Sequence, residues 1–128
     1  MHSKAQVSAE FFVFLGLAFL IAIAFEIASL DQLNDFRLQK ENEAVKDLAL
    51  KLQQELLVAS TVEDGYVRIF AIPDNLEGIN YSLTTLYNST ITVKSKNSLY
   101  IVSIPKVVGN ASKGTNTINK TGGVVYIN

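Results

Sequence analysis

The stretch KAQVSAEFFVFLGLAFLIAIAFE, residues 4–26, decides the fold of the N-terminal part of the chain. Glu10 stands directly before fifteen uncharged residues, and Glu26 follows them. Residues 11–30 are twenty residues with Glu26 as their one charge, and a helix of that length spans about 30 Å, the thickness of the hydrocarbon core of a bilayer. The segment is apolar all round rather than striped, which indicates a helix inside lipid or inside a bundle.

Three interpretations fit such a segment. It is a secretory signal peptide removed after the apolar run, where residues 22–24 (AIA) resemble a small-residue cleavage site; it is a plain single-span anchor; or a short leader is cut before the run. Glu10 argues against the first interpretation, because basic residues are expected there. Lys4 precedes the run, and this weak basic bias places the N-terminus in the cytoplasm and everything after residue 30 outside.

The residues before the apolar run resemble the class III signal peptide of archaeal type IV pilin-like proteins. In that family a basic and a small residue precede Gln-x-Ser-x-Glu, which opens an apolar helix, and the corresponding residues of this chain are Lys4, Ala5, Gln6, Ser8 and Glu10. The family usually has leucine where this chain has Phe14. The resemblance implies that a membrane-bound prepilin peptidase cuts between Ala5 and Gln6 and removes residues 1–5 as a leader.

Glu10 gains a partner if the leader is removed. A cut before Gln6 creates an α-amino group with a reference pKa near 8, and Glu10 then lies four residues, about one helical turn, away from it. Glu10 can pair with its own amine or with that of a neighbouring copy. An unpaired carboxylate among apolar helices is costly, so the pairing favours one axial register between subunits. Glu10 is therefore expected to direct assembly, as the resemblance to type IV pilins implies.

The segment after residue 30 has the pattern of an amphipathic helix. Apolar residues recur at three- and four-residue steps, and no proline or glycine occurs between Leu17 and Asp64. We expect one helix from about Ser8 to about Ser60, within a helical region 6–64. Residues 6–30 form its membrane or filament-core part, and residues 31–64 form its amphipathic part. Gly65 is the stop signal. The apolar stripe includes Val45, Leu48, Leu52, Leu56 and Ala59.

Residues 65–128 read as a β-rich head domain. Alternating runs bounded by Pro73 and Pro105 predict six or so short strands, with turns at 96–97 and 122–123 and a loop at 109–114 (GNASKG). The predicted fold class is α+β: a long N-terminal helix followed by a small antiparallel β head, built as a sandwich or a compact sheet. Such a head is marginal alone, so packing against the amphipathic part of the helix is expected to enlarge its core.

Charge divides the chain into an acidic and a basic part. Residues 10–64 carry ten acids and four bases, whereas after Glu77 five lysines and no acid remain. These are either two solvated surfaces, or they attract the head of one copy to the helix of another, or the basic face binds an anionic surface.

The residue inventory argues against catalysis. The chain has no cysteine, and His2 and Met1 are its only histidine and methionine. The commonest general base, metal ligand and thiol nucleophile are therefore scarce or missing. We expect no enzyme activity, no catalytic residues, no metal site and no cofactor.

Asn-x-Ser/Thr sequons recur in the head, on the side predicted to be outside. Their abundance favours N-glycosylation, although a segment rich in Asn, Ser and Thr also yields sequons by composition. The candidate glycosylation sites are Asn80, Asn88, Asn110 and Asn119.

The resemblance implies a structural subunit of an archaeal type IV pilus-like surface filament that serves adhesion. Its partners would be other copies of itself through the N-terminal helices, the prepilin peptidase, a pilus assembly platform, and the membrane before assembly; no specific nucleic acid is predicted. The head would lie outside the cell. The alternative is a membrane-anchored extracellular scaffold or stator component of an archaeal motility filament or surface layer with the same leader.

Overall fold

A computed structural model describes residues 2–128, with side chains described from Ala9 onward. It confirms the α+β class. One helix, α1 (His2–Thr61), precedes seven strands within the described residues. The chain divides into two compact units, Met1–Arg37 and Leu38–Asn128. The strands are β1 (Val67–Ile72), β2 (Tyr81–Leu86), β3 (Thr90–Ser95), β4 (Leu99–Ser103), β5 (Val107–Gly109), β6 (Gly114–Thr121) and β7 (Val124–Ile127).

Helix α1 ends close to the predicted position and begins earlier than expected. It starts at His2 rather than near Ser8, in a stretch that holds no proline or glycine before Gly16. At its other end the Ser60 and Thr61 hydroxyls donate to carbonyls three residues back, at 2.7 and 2.9 Å. Gly65 follows with a φ of 93°, the left-handed conformation that the predicted stop requires.

The strands form two sheets. One has four strands in the order β1-β6-β7-β5, and the other has three in the order β2-β3-β4. The prediction of an antiparallel head is right for every pair except β5 and β7, which are parallel. The predicted loop at 109–114 is also shorter than expected, because Gly109 ends β5 and Gly114 begins β6. After β4 the chain passes Pro105 and leaves the three-stranded sheet, so β5 reaches the edge of the other sheet beside β7 and runs parallel to it.

The core of the second unit joins the helix to both sheets. The predicted stripe is confirmed, since its five residues are all buried in one apolar cluster with side chains from the strands. A fully buried leucine or isoleucine stabilises a fold by roughly 1.5–3 kcal/mol relative to exposure. The stripe is therefore the part of the helix on which the head depends. The buried partners from the head include Ile72, Ile91, Val93, Val107, Ile118 and Ile127.

Two polar clusters hold the loops of the head. Asn116 is fully buried on β6; its Oδ1 accepts from the Ser112 N–H at 2.8 Å, and its Nδ2 donates to the carbonyls of Ser112 and Gly114 at 2.6 and 3.0 Å. Lys120, on the same strand, donates through Nζ to the carbonyls of Ser60 and Val62 at 2.8 and 2.7 Å. It thus caps the C-terminal end of α1, where helix carbonyls lack partners.

Candidate functional site

The first candidate site is the apolar surface of the first unit. The helix is long and apolar enough to cross or anchor in a membrane, and none of its most apolar 18-residue window is buried. Large apolar side chains point outward on every side of it, and soluble monomers rarely expose an apolar surface of this extent. The exposed side chains between residues 9 and 30 include Phe11, Phe12, Val13, Phe14, Leu15, Leu17, Phe19, Leu20, Ile21, Ile23, Phe25, Ile27 and Leu30.

Glu10 is an exposed residue of this helix. Glu26 follows sixteen residues later, so the two carboxylates lie about 24 Å apart along the axis and nearly on opposite sides of the helix. They therefore do not form one acidic site. The other residues of the predicted leader motif, Lys4, Ala5, Gln6 and Ser8, lie outside the described side chains, and cleavage between Ala5 and Gln6 stays a prediction.

All four predicted glycosylation asparagines are exposed. Asn80 precedes β2, Asn88 lies in the β2–β3 turn with a φ of 58°, Asn110 follows β5, and Asn119 lies within β6. The buried Asn116, in contrast, belongs to no sequon. The acceptor amides are accessible, and their modification stays a prediction.

Three contacts in the second unit connect the helix to β1 and to two loops of the head. Arg68 of β1 makes a two-point pair with Glu55, with Nε to Oε2 at 2.8 Å and Nη2 to Oε1 at 3.0 Å. The hydrogen bonds and charge of Glu55 raise the pKa of Arg68. Glu77 pairs with Lys40 at 2.6 Å, and this hydrogen bond and charge lower the pKa of Glu77.

Glu41 makes the third contact. It accepts from the backbone N–H and side-chain amide of Asn97 at 3.1 and 2.9 Å. The pKa of Glu41 is lowered, mainly by hydrogen bonding with Ser95 and next by hydrogen bonding with Asn97. Glu41 and Glu55 of the helix thus bind residues of the head within one copy of the chain. Lys113 and Lys120 of the basic part instead donate hydrogen bonds to backbone carbonyls.

Several polar residues of the head fix its loops. Among residues 9–128 the structure groups no three metal-ligating side chains. Tyr81 donates its hydroxyl to the Pro73 carbonyl, and burial raises its pKa. The ammonium of Lys113 lies 4.3 Å from the centre of the Tyr81 ring and donates to the Asp74 carbonyl, so these groups fix the β1–β2 loop. A groove of about 410 Å³ beside that loop is lined by residues including Leu48, Lys51 and Glu77.

Sequence reasoning missed two features of the site. It did not anticipate that Lys120 caps the helix, although Lys120 lies two residues after the buried Ile118 in β6 and so on the same inward face of the strand. It also did not anticipate that Val67, Ile69, Val108, Val124 and Tyr126 are exposed on one side of the four-stranded sheet, because the order of the strands is not a local signal. No protein-family model, curated protein or solved structure matches this chain.

Proposed function

We propose that the chain is a structural subunit of an archaeal type IV pilus-like surface filament. In this proposal a prepilin peptidase removes residues 1–5, the apolar helix holds the subunit in the membrane, and the helices then bundle into a filament core. The heads face outward, and many weak contacts made by them together provide attachment. The observation that carries the proposal is the apolar helical surface, exposed on every side, which begins immediately after Glu10.

The physical argument concerns the two environments that such a helix would occupy. Each large apolar side chain gains roughly 1.5–3 kcal/mol when it leaves water, and lipid or a helix bundle satisfies this equally. Glu10 distinguishes the two environments. In an anchor whose residues 11–30 span the hydrocarbon core, Glu10 lies at the edge of the membrane and needs no partner. In a bundle the same carboxylate is surrounded by apolar helices and would need the α-amine of a processed neighbour. The helix is thus compatible with lipid, and Glu10 gains a specific role only in an assembly.

The test is N-terminal sequencing with intact mass on protein sheared from intact cells that make it. We expect a chain that begins at Gln6, or at its cyclised form, in a sedimentable fraction that shows filaments by electron microscopy. A chain that begins after residue 22 would indicate an ordinary signal peptide and would overturn the proposal. An uncleaved chain that stays with the membrane would indicate a plain anchor and would overturn it as well.

A further inference from the structure

The outer face of the four-stranded sheet is apolar and exposed. Side chains alternate along each strand, so one set faces the core and the other faces solvent. On the solvent side Val67 and Ile69 of β1 expose 60% and 68% of their surface, and Val108, Val124 and Tyr126 are exposed as well. The β6 residues on this side are threonines and Asn119, and the described strands place no charged side chain there. We call this surface the outer face.

An uncharged sheet face of this kind is a liability in a secreted domain. Soluble proteins rarely expose large contiguous apolar patches, and such patches mark interaction sites or lead to aggregation. The charged residues of these four strands, Arg68 and Lys120, contact the helix instead of the outer face. Arg68 pairs with Glu55, and Lys120 donates to carbonyls at the end of the helix. The outer face therefore requires a cover of another kind.

Asn119 lies at the centre of the outer face. The strand register places it between Val67 on β1 and Tyr126 on β7. It is exposed and begins the sequon Asn119-Lys120-Thr121, in which the Thr121 hydroxyl lies 3.2 Å from the Asn119 side-chain oxygen. The other three sequon asparagines precede a strand, lie in a turn or follow a strand. A substituent on Asn119 would start from the middle of the outer face, whereas Asn80 and Asn88 flank β2 of the other sheet and Asn110 follows the edge strand β5.

We propose that an N-linked glycan on Asn119 lies over the outer face and covers its apolar side chains. The C–H groups of a sugar ring suit the negative face of the Tyr126 ring, and sugar hydroxyls suit the neighbouring threonines. The donor would be a saccharide activated as a lipid phosphate ester at its anomeric carbon. The Asn119 nitrogen forms a bond to that carbon, the carbon–oxygen bond to phosphate breaks, the electron pair leaves with the phosphate, and the amide proton passes to a base of the transferase.

This inference rests only on export of the head, which is one part of the proposed function. A glycan at the centre of the outer face would also keep a second copy from docking there. Glycopeptide mapping and the labelling rate of Tyr126 test this inference, whereas the identity of the N-terminal residue tests the filament proposal. The two proposals can therefore fail separately in the same sample.

The experiment uses the full chain purified in detergent from the cells that naturally make it. Glycopeptide mapping is expected to find a saccharide on Asn119. A tyrosine-nitrating reagent, with modification measured by mass spectrometry, is expected to label Tyr126 several-fold faster in Asn119→Gln than in the wild type. Tyr87, which is 92% exposed in the β2–β3 turn, provides the internal reference. Asn110→Gln is the matched control, and we expect no change at Tyr126.

Thr121→Val provides a second route, because it removes the sequon and keeps Asn119. In Thr121→Val the reagent should label Tyr126 as fast as in Asn119→Gln. In Thr121→Ser, which keeps the sequon, it should label Tyr126 at the wild-type rate. An unmodified Asn119 in the native protein would overturn the proposal. A Tyr126 rate that is the same in the wild type and in both sequon-removing variants would overturn the cover, even if Asn119 carries a saccharide.

Discussion

At the scale of single residues, Asn116 shows how a short polar side chain fixes a loop. Asn116→Asp would remove the two donated hydrogen bonds and place a carboxylate against the carbonyls of Ser112 and Gly114. We expect the free energy of unfolding of the head to fall by about 3 kcal/mol at neutral pH. The five tyrosines of the chain all lie in the head, so urea unfolding of the full chain in detergent can be followed by tyrosine fluorescence.

The control for Asn116→Asp is Asn42→Asp, which makes the same chemical change at an exposed position outside the sequons. It should alter the free energy of unfolding by no more than about 0.5 kcal/mol. Equal effects of the two substitutions would show that Asn116 has no special role in the loop.

Gly109 is required by its contact with the C-terminal strand. Its φ is 108°, and a Cβ at this position would lie 1.9 Å from the Ile127 carbonyl oxygen. Gly109→Ala should therefore detach β5 from β7 and lower the free energy of unfolding by about 3 kcal/mol or more. Gly122→Ala is the control, because Gly122 also has a positive φ, 59°, but open space around it. It should cost only about 1–2 kcal/mol, and a similar loss in both variants would contradict the role of the contact.

At the scale of elements, Lys120 connects β6 to the end of α1. Lys120→Met keeps the aliphatic stem and the sequon but removes the ammonium from the carbonyls of Ser60 and Val62. We expect a loss of about 1–2 kcal/mol in the free energy of unfolding, since the last helix carbonyls lose a charged donor. Lys94→Met, at an exposed position of β3, should leave it nearly unchanged. An equal loss in both variants would remove the capping role.

The elements also show what the sequence can and cannot predict. The helix and its buried stripe were predictable because Val45, Leu48 and Leu52 recur at helical spacing, which is a local signal. The parallel pairing of β5 with β7 was not, because a three-residue strand carries almost no periodicity and its partner lies at the far end of the chain. The outer face depends on that strand order, so the position of Asn119 between Val67 and Tyr126 was equally hidden, although its sequon was visible.

The contacts of Glu41 and Glu77 predict an acid-sensitive attachment between helix and loops. Both pKa values are lowered in the folded chain from an ordinary value of 4.5. Their contribution to stability is thus fully present above pH 4.5 and is lost as the pH falls through the lower folded pKa values. In urea unfolding of the full chain below pH 4.5, the wild type should lose more stability than the double variant Glu41→Gln/Glu77→Gln.

Above that pH the difference in stability between the two proteins should stay constant. As a charge control, Glu63→Gln changes an exposed acid and should follow the wild-type pH dependence. Parallel pH curves for the wild type and the double variant would contradict the acid-sensitive attachment.

At the scale of the whole molecule, Glu10 tests whether the apolar helix is only an anchor or an assembly element. A plain anchor needs hydrophobicity alone, so replacing a carboxylate with a neutral amide would leave it intact or improve it. In a filament the carboxylate would pair with the α-amine of a processed copy, and removing one partner of such a buried pair costs about 3 kcal/mol or more. Glu10→Gln should therefore keep leader removal, seen by intact mass, and lower the yield of sheared filaments by at least about tenfold.

Glu63→Gln provides the matched control, because it removes one negative charge beyond the C-terminal end of the helix and should give the wild-type filament yield. Glu10→Asp keeps the charge on a shorter side chain and should recover part of the yield. A wild-type yield in Glu10→Gln, with leader removal intact, would mean that the helices find their register without this carboxylate. The apolar surface alone would then have to hold the filament together.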